Sequence, residues 1–370
     1  MVKIGVNAIG TRHSGAAAVL RSLLRGFAEL DYSRQMRVFL GPLHEVITRF
    51  APDERIVLEG TPAWTSNPIT RALWLNSCFR RHVRTSGCDV VLNFNNMAGR
   101  PGVPQVLFLQ QSLFLSEEAM RAHRSTARDG IEIALHASFW IPTMKKSARN
   151  CELVVVQTDT MREWVRDRLG VSDAKLCVLP PALPIGAPTE SGPSLRRGPG
   201  PSRPRVLYVG SARAYKNLRV LTEVAELARQ RGQDWQFHLT TSRDLAVENP
   251  NIVFHGHLST EALSALYESA DVLVMPSLVE TVGLPLLEAM QHRCPVVAAD
   301  RPYAREICGR AALYFDPLSP ESLYEVIRAL LADVTLQEQL RDAAAVELAR
   351  FPSEREWAAR WVRLAQGVVA

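Results

Sequence analysis

Apolar residues along this chain fall into short runs separated by amphipathic stretches, and the alternation occurs in two blocks. In the first block the runs occupy residues 2–9, 37–40, 89–94, 106–110, 153–158 and 175–179. Short runs rich in Val, Ile, Leu and Phe predict strands covered on both faces. Between them, residues 16–30 and 159–169 return to apolar positions at helical spacing, which predicts helices with one buried face. In the second block, runs at 206–209, 235–239, 252–255, 272–275, 296–299 and 312–315 alternate with helical stretches at 217–231, 260–269, 285–292 and 320–333. Strands alternating with helices predict βαβ units and parallel sheets. The blocks are separated by PPALPIGAPTESGPSLRRGPGPSRP, residues 180–204. Pro, Gly and Ser saturate this segment, so it holds no regular ladder. The expected organisation is two Rossmann-like domains, residues 1–182 and 205–350, joined by a linker at 183–204. The two are expected to face each other across a cleft, because ligands bind outside the carboxyl ends of such strands.

Composition narrows the class. A chain of 370 residues suits two domains, and 47% hydrophobic with 22% charged residues is ordinary for a soluble globular protein. No uninterrupted apolar run reaches about 18 residues, so no transmembrane helix is expected. The first residues read as a strand and lack the basic start and cleavage site of a signal peptide, so a cytoplasmic location is expected. Cys78, Cys88, Cys151, Cys177, Cys294 and Cys308 form no C-x-x-C pair and read as free, mostly buried thiols. Residues 1–180 carry 23 Lys and Arg against 16 Asp and Glu, whereas residues 181–370 carry 20 against 22. The basic half suits an anionic partner, such as a membrane surface, a lipid diphosphate or a nucleic acid; a plain solvated surface is the other reading.

The densest chemistry lies in Asp271-Val-Leu-Val-Met-Pro-Ser-Leu-Val-Glu280-Thr-Val-Gly283-Leu-Pro-Leu-Leu-Glu288. An apolar strand ends at Pro276, a loop follows, and Pro285 fits the first turn of a helix because its missing N–H would have no helical partner there. The amides of Gly283 and Leu284 then form an anion site at a helix start, and Gly283 lets the anion approach the backbone. Glu280 before the helix and Glu288 within it reach opposite ends of one extended ligand, and carboxylates are acceptors suited to sugar hydroxyls.

This stretch resembles the E-x7-E signature of the family 4 retaining glycosyltransferases, which have the GT-B fold of two Rossmann-like domains. The resemblance implies that Glu280 contacts the donor sugar, Glu288 the ribose of the nucleotide, and Gly283 with Leu284 the sugar–phosphate portion. A second stretch, Val206-Leu-Tyr-Val-Gly210-Ser211-Ala-Arg213-Ala-Tyr-Lys216-Asn217, is a strand, a glycine and then cations at a helix start, a pattern that suits a diphosphate. The family places a Lys six positions after this glycine, which Lys216 matches. It often places an Arg directly after the glycine; that position is Ser211 here, and Arg213 is the candidate second cation. Gly256, His257 and Leu258 resemble the family segment whose backbone lies near the nucleobase. Gly15, with Ser14, stands where the family has a small-residue turn toward the donor phosphates.

Three features depart from the pattern or extend it. After the strand at 106–109, many relatives carry His-Asp or His-Asn; this chain has Gln110-Gln111, and Gln is no general base. In retaining members of the fold the leaving phosphate is held to take the acceptor proton, so the pair becomes a candidate for contacting sugar or acceptor. In the basic half, Arg71–Arg84 and residues 120–150 mix Arg121, Arg124, Arg128, Lys145 and Lys146 with Phe139, Trp140, Ile141 and Met144. The favoured reading buries the apolar side in the domain; a second reading lays it on an anionic membrane. Residues 351–370 resemble the family's last helix, which crosses back to the first domain, with Trp357 and Trp361 sharing one face.

The resemblance therefore implies transfer of a sugar, with retention, from a nucleotide diphosphate sugar to a saccharide or lipid-linked saccharide, in cell-surface polysaccharide or glycoconjugate synthesis. No D-x-D motif lies near the site, so no required metal is expected; no cofactor and no nucleic-acid partner are expected either. A nucleotide-sugar epimerase or hydrolase, and a non-catalytic nucleotide-sugar-binding protein, stay open as alternatives.

Overall fold

The computed structural model describes residues 2–11, 14–41, 53–123, 127–183, 203–242 and 249–369. Most of the breaker-rich segment thus lies outside the described residues. The chain forms two compact units: Met1–Leu115 with Ile131–Ala182 and Pro352–Ala370, and Ser116–Gly130 with Leu183–Phe351.

The first part of the chain supplies strands β1 (Ile4–Asn7), β2 (Met36–Leu40), β3 (Ile56–Gly60), β4 (Val90–Asn93), β5 (Gln105–Phe108), β6 (Leu153–Val156) and β7 (Leu176–Val178). Its helices are α1 (Ser14–Ala28), α2 (Pro68–Ser77), α3 (Phe79–Ser86), α4 (Glu117–His123), α5 (Ala127–Asn150) and α6 (Asp159–Leu169). The strands form one parallel sheet in the order β3-β2-β1-β4-β5-β6-β7. The apolar runs predicted as strands became these strands because both faces of β1, β4 and β5 are covered. β3 was not predicted: its apolar core is only Ile56-Val57-Leu58, and as an edge strand it alternates between covered and exposed positions.

The second part supplies β8 (Arg205–Tyr208), α7 (Leu218–Gln230), β9 (Gln236–Leu239), β10 (Ile252–Phe254), α8 (Thr260–Ser269), β11 (Val272–Met275) and α9 (Leu284–Gln291). It continues with β12 (Val296–Ala299), α10 (Pro302–Cys308), β13 (Ala312–Phe315), α11 (Pro320–Ala332), α12 (Val334–Leu348) and the last helix, α13 (Glu354–Gly367). Its six strands are parallel in the order β10-β9-β8-β11-β12-β13. Each sheet therefore reverses direction once, between β1 and β4 in the first and between β8 and β11 in the second. These switch points are where loops from neighbouring strands diverge and leave a crevice at the carboxyl edge.

α13 packs on α1 within the first unit, as the sequence predicts. Trp357 and Trp361 are 1% exposed and meet Phe94 and Phe108, with the Trp361 ring 4.9 Å and 5.0 Å from those two. Arg25 holds the almost fully buried Glu354 through two N–H groups at 2.7 Å and 2.9 Å. Gly26 is required here: a Cβ would stand 2.0 Å from the Glu354 carbonyl oxygen. The apolar side of α5 also packs inward, with Met144 fully buried and Phe139 and Trp140 against the core. The side chains of Arg124 and Arg128 lie outside the described residues.

Candidate functional site

The switch point of the second sheet gathers the two strongest sequence motifs. β8 and β11 are hydrogen-bonded neighbours, so the loops after them leave the sheet side by side. The loop after β8 tightens into a 3-10 turn, Ala214–Lys216, ended by Asn217 in the left-handed region. Asn217 is fixed there by its amide, which donates to the Pro317 carbonyl at 2.8 Å. The loop after β11 is stitched to this turn by the Leu278 N–H, which donates to the Tyr215 carbonyl at 2.8 Å.

The result is a direct ion pair between Lys216 Nζ and Glu280 Oε1, across 64 residues of sequence. Their side chains are 15% and 12% exposed, so both charges sit largely out of water. Burial is the largest influence and weakens the Lys216 ammonium, but the charge and hydrogen bond of Glu280, together with Tyr215, outweigh it and lift the Lys216 pKa above its ordinary 10.5. The lysine stays charged, which an anion-binding role needs. Arg213 is exposed at the start of the same turn, where its carbonyl accepts the Lys216 N–H at 2.8 Å, and its charge acts on Lys216.

Gly283 caps α9 with φ of 77°, a left-handed conformation that favours glycine. Pro285 has no N–H, and the Leu286 N–H donates back to the Gly283 carbonyl at 2.8 Å. Helix geometry leaves the amides of Gly283 and Leu284 without a helical partner. Within α9, Glu288 accepts the Tyr267 hydroxyl at 2.7 Å. Tyr267 is 1% exposed and stacks on His292, rings 5.4 Å apart and 7° from parallel. Burial lifts the Glu288 pKa above its ordinary 4.5, against the opposing pull of the Tyr267 O–H.

The remaining donor-side candidates are placed as follows. Gly210 donates its N–H to Thr240 Oγ1 at 3.1 Å, and the exposed Ser211 offers its carbonyl to the Tyr208 hydroxyl at 2.9 Å. A Cβ on Gly210 would stand 2.6 Å from that hydroxyl, so packing on Tyr208 alone requires the glycine. Gly256 follows β10 in the left-handed region, φ 66°, with His257 exposed and Leu258 half-buried.

Gly15, Gln110 and Gln111 belong to the first unit. Gly15 is exposed near the start of α1, with open space where a Cβ would be. Gln110 follows β5 at the carboxyl edge of the sheet; its backbone N–H donates to Asn96 Oδ1 at 2.6 Å and its side chain to the Phe94 carbonyl at 3.2 Å. Gln111 is half-buried beside it. Under this edge Asn7, Asn93 and Asn95 hydrogen-bond one another, with Asn7 Nδ2 to Asn93 Oδ1 at 2.8 Å. These amides share the edge with the buried Arg71, whose guanidinium stands where a Gly10 side chain would be.

Residues 203–333 match the family described as Glycosyl transferases group 1. These residues form a group 1 glycosyltransferase domain, and they lie within the second unit. A sulfoquinovosyl transferase of Arabidopsis thaliana is 32% identical over 158 residues, 41% of this chain and 31% of that one. An alpha-D-kanosaminyltransferase of Streptomyces kanamyceticus is 26% identical over 264 residues, 66% of this chain and 65% of that one. The chain thus spans from under a third to just under two thirds of the length of these relatives. Anabaena HepE, solved in complex with UDP and glucose, has the same fold, with a TM-score of 0.69 at 16% identity over 98% of this chain and 99% of that one. The two parallel sheets and this likeness bear out the GT-B fold.

Three tyrosines of the glycosyltransferase domain carry no motif signal yet brace its site. Tyr208 supports the Gly210–Ser211 turn, Tyr267 holds Glu288, and Tyr303, 1% exposed, donates to the Ser277 carbonyl at 2.9 Å, three residues before Glu280. All three hydroxyls sit in or beside apolar strands and helices, where a tyrosine reads like any core aromatic. Gly283 gives a first expectation. A Cβ there would be 3.1 Å from Leu286 Cδ1 in a left-handed backbone. Gly283→Ala should cost about 1–2 kcal/mol of stability in denaturant melts, and should weaken nucleotide-sugar binding in calorimetric titration beyond what the lost stability explains.

Proposed function

We propose that this chain transfers a sugar from a nucleotide diphosphate sugar to a saccharide or lipid-linked saccharide, with retention and without a metal. The observation that carries the proposal is the Lys216–Glu280 pair set beside the helix start at Gly283 and Leu284, with Glu288 farther along the same helix. Lys216, helped by Arg213, would meet the negative charge that grows on the diphosphate as the C1–O bond breaks. The amides of Gly283 and Leu284 would hold the phosphate next to the sugar. Glu280 would accept from sugar hydroxyls and Glu288 from the ribose. The acceptor oxygen bonds to C1 while its proton passes to the departing phosphate oxygen, so the protein supplies geometry and charge and no base. Cell-surface polysaccharide or glycoconjugate synthesis is the proposed setting.

A thermal-shift screen of the protein against UDP-, GDP- and dTDP-sugars tests this reading, because a bound donor raises the melting temperature by mass action. One base and sugar should stand out. No shift with any of them at millimolar concentration would count against it.

A second element of the proposal is contact with an anionic membrane. No helix among the described residues is long and apolar enough to cross one. On α2, however, Ile69 and Leu73 lie four apart on one face at 60% and 64% exposure, and Trp64 just before it is 49% exposed. Arg80, Arg81 and Arg84 are exposed on the following α3. Exposed apolar side chains on one helix followed by exposed arginines on the next suit an anionic lipid surface. Wild-type protein should co-sediment with phosphatidylglycerol vesicles, and the double variant Ile69→Asp, Leu73→Asp should lose most of that binding while melting as before. Equal co-sedimentation of both would remove the membrane from the proposal.

A further inference from the structure

α4 is a helix of seven residues, Glu117–His123, too short to persist without outside contacts. It belongs to the second unit although the chain on both sides of it belongs to the first. It packs against the 3-10 turn Ala214–Lys216, the turn that carries Lys216. Ala119 is fully buried in α4, and the Ser116 hydroxyl caps the helix by accepting the Ala119 N–H at 3.3 Å.

An ion pair between Glu118 and Arg301 fastens this helix. Arg301 donates through Nη2 to Glu118 Oε1, across 183 residues of sequence. The side chains are 20% and 35% exposed, so the pair is partly shielded from solvent. Arg301 is itself anchored: its Nη1 donates to the Asp300 carbonyl at 2.8 Å, and its backbone caps α10. Two residues on, Tyr303 of α10 braces Ser277 in the loop that carries Glu280. Glu118 and Arg301 therefore join the two elements that stand behind the two members of the Lys216–Glu280 pair: α4 behind the lysine turn, and α10 behind the glutamate loop.

We propose that Glu118 and Arg301 are positioning residues, a clamp that holds the Lys216 turn in register with the Glu280 loop and so keeps the phosphate-binding cation in place. The proposal rests on the reading of Lys216 as the cation that meets the diphosphate, but its structural part stands without it. The clamp would act through the Lys216 turn, against which α4 packs. A carboxylate and a guanidinium suit this task, because their charge-assisted bond is directional and planar. An exposed ion pair with no such task would have little effect on either loop.

The test compares wild type with Glu118→Gln, Arg301→Gln and the charge-reversed double variant Glu118→Arg, Arg301→Glu, using hydrogen–deuterium exchange of the full chain without ligand. Both single variants should speed amide exchange at residues 213–218 by about fivefold or more, with strands β11 and β12 unchanged. The double variant should return most of the protection. Steady-state kinetics with the donor identified by the thermal screen form a second arm. There kcat should fall in the single variants and recover in the double variant, with KM for the acceptor unchanged. Exchange at 213–218 equal to wild type in both single variants, or a double variant as fast as the singles, overturns the clamp. A protein that shows the exchange pattern but turns over no nucleotide sugar would overturn the proposed function and leave the clamp standing. Normal exchange with normal turnover would do the reverse.

Discussion

Glu280→Gln is expected to lower sugar transfer by about 100- to 1,000-fold, the range seen when a preorganised charge or donor is removed from a reacting centre. Two effects combine. The sugar loses an acceptor for its hydroxyls, and Lys216 loses the carboxylate that holds it charged and in place. The second effect has a sign that can be checked. Burial is the largest influence on Lys216 and works against its charge; Glu280 reverses it. Without Glu280, burial prevails and the Lys216 pKa drops. Wild-type activity should therefore hold well into the alkaline range, whereas the residual activity of the variant should fail at lower pH. The same substitution leaves a mostly buried ammonium without its partner, which costs stability by about 3 kcal/mol. The double variant Glu280→Gln, Lys216→Met, which removes both charges of the pair, should be inactive yet more stable than Glu280→Gln alone, because neither buried charge is left unpaired. Melting curves and pH–rate profiles of the two variants separate these contributions. Full activity of Glu280→Gln on the true substrates would sink the role given to it.

Glu288→Gln is expected to act in opposite directions on stability and on binding. Burial raises the Glu288 pKa above 4.5 in the folded chain, and only the Tyr267 hydroxyl offsets it. A carboxyl with a raised folded pKa binds its proton more tightly in the fold than in the unfolded chain. Its cost to stability begins as pH rises through the unfolded value and is complete above the folded one. At neutral pH the carboxylate is therefore a burden on the fold. The amide of Gln can still accept the Tyr267 O–H without that burden, so the variant should melt a few degrees higher. Donor affinity should nevertheless drop about tenfold or more, because a charged acceptor of ribose hydroxyls becomes a neutral one. In wild type the same affinity should weaken as pH falls through the raised Glu288 pKa, and in the variant that pH dependence should disappear. A variant that is both less stable and fully able to bind donor would mean that Glu288 is a packing residue.

Much of the fold was readable because its strands and helices repeat apolar residues at the periods their geometry demands. The predicted helix at 159–169 and the strands at 272–275, 296–299 and 312–315 coincide with α6, β11, β12 and β13. β3 escaped because an edge strand needs few apolar positions. The site was readable as two separate motifs, each local: Gly210 to Lys216, and Glu280 to Glu288. Their union was not, because the Lys216–Glu280 pair depends on β8 and β11 being neighbours, which strand order decides and local pattern does not. The tyrosines were invisible for a related reason. Tyr267 reaches Glu288 from another helix, and Tyr303 reaches Ser277 from 26 residues away. Gly210 was read as the turn of a donor-binding motif; Tyr208 beneath it supplies an independent reason for the missing side chain. Asn96 and the buried asparagines beneath Gln110 carry no spacing signal, since only the fold turns them toward one edge.

The most direct measurement is a proton NMR time course of wild-type protein with the nucleotide sugar that the thermal screen selects, with and without saccharide acceptors. Release of nucleoside diphosphate together with a product, or a slowly freed sugar, whose first-formed anomeric signal matches that of the donor is the expected result. An inverted anomer, an epimerised donor, or a bound donor left intact across the acceptors would contradict it.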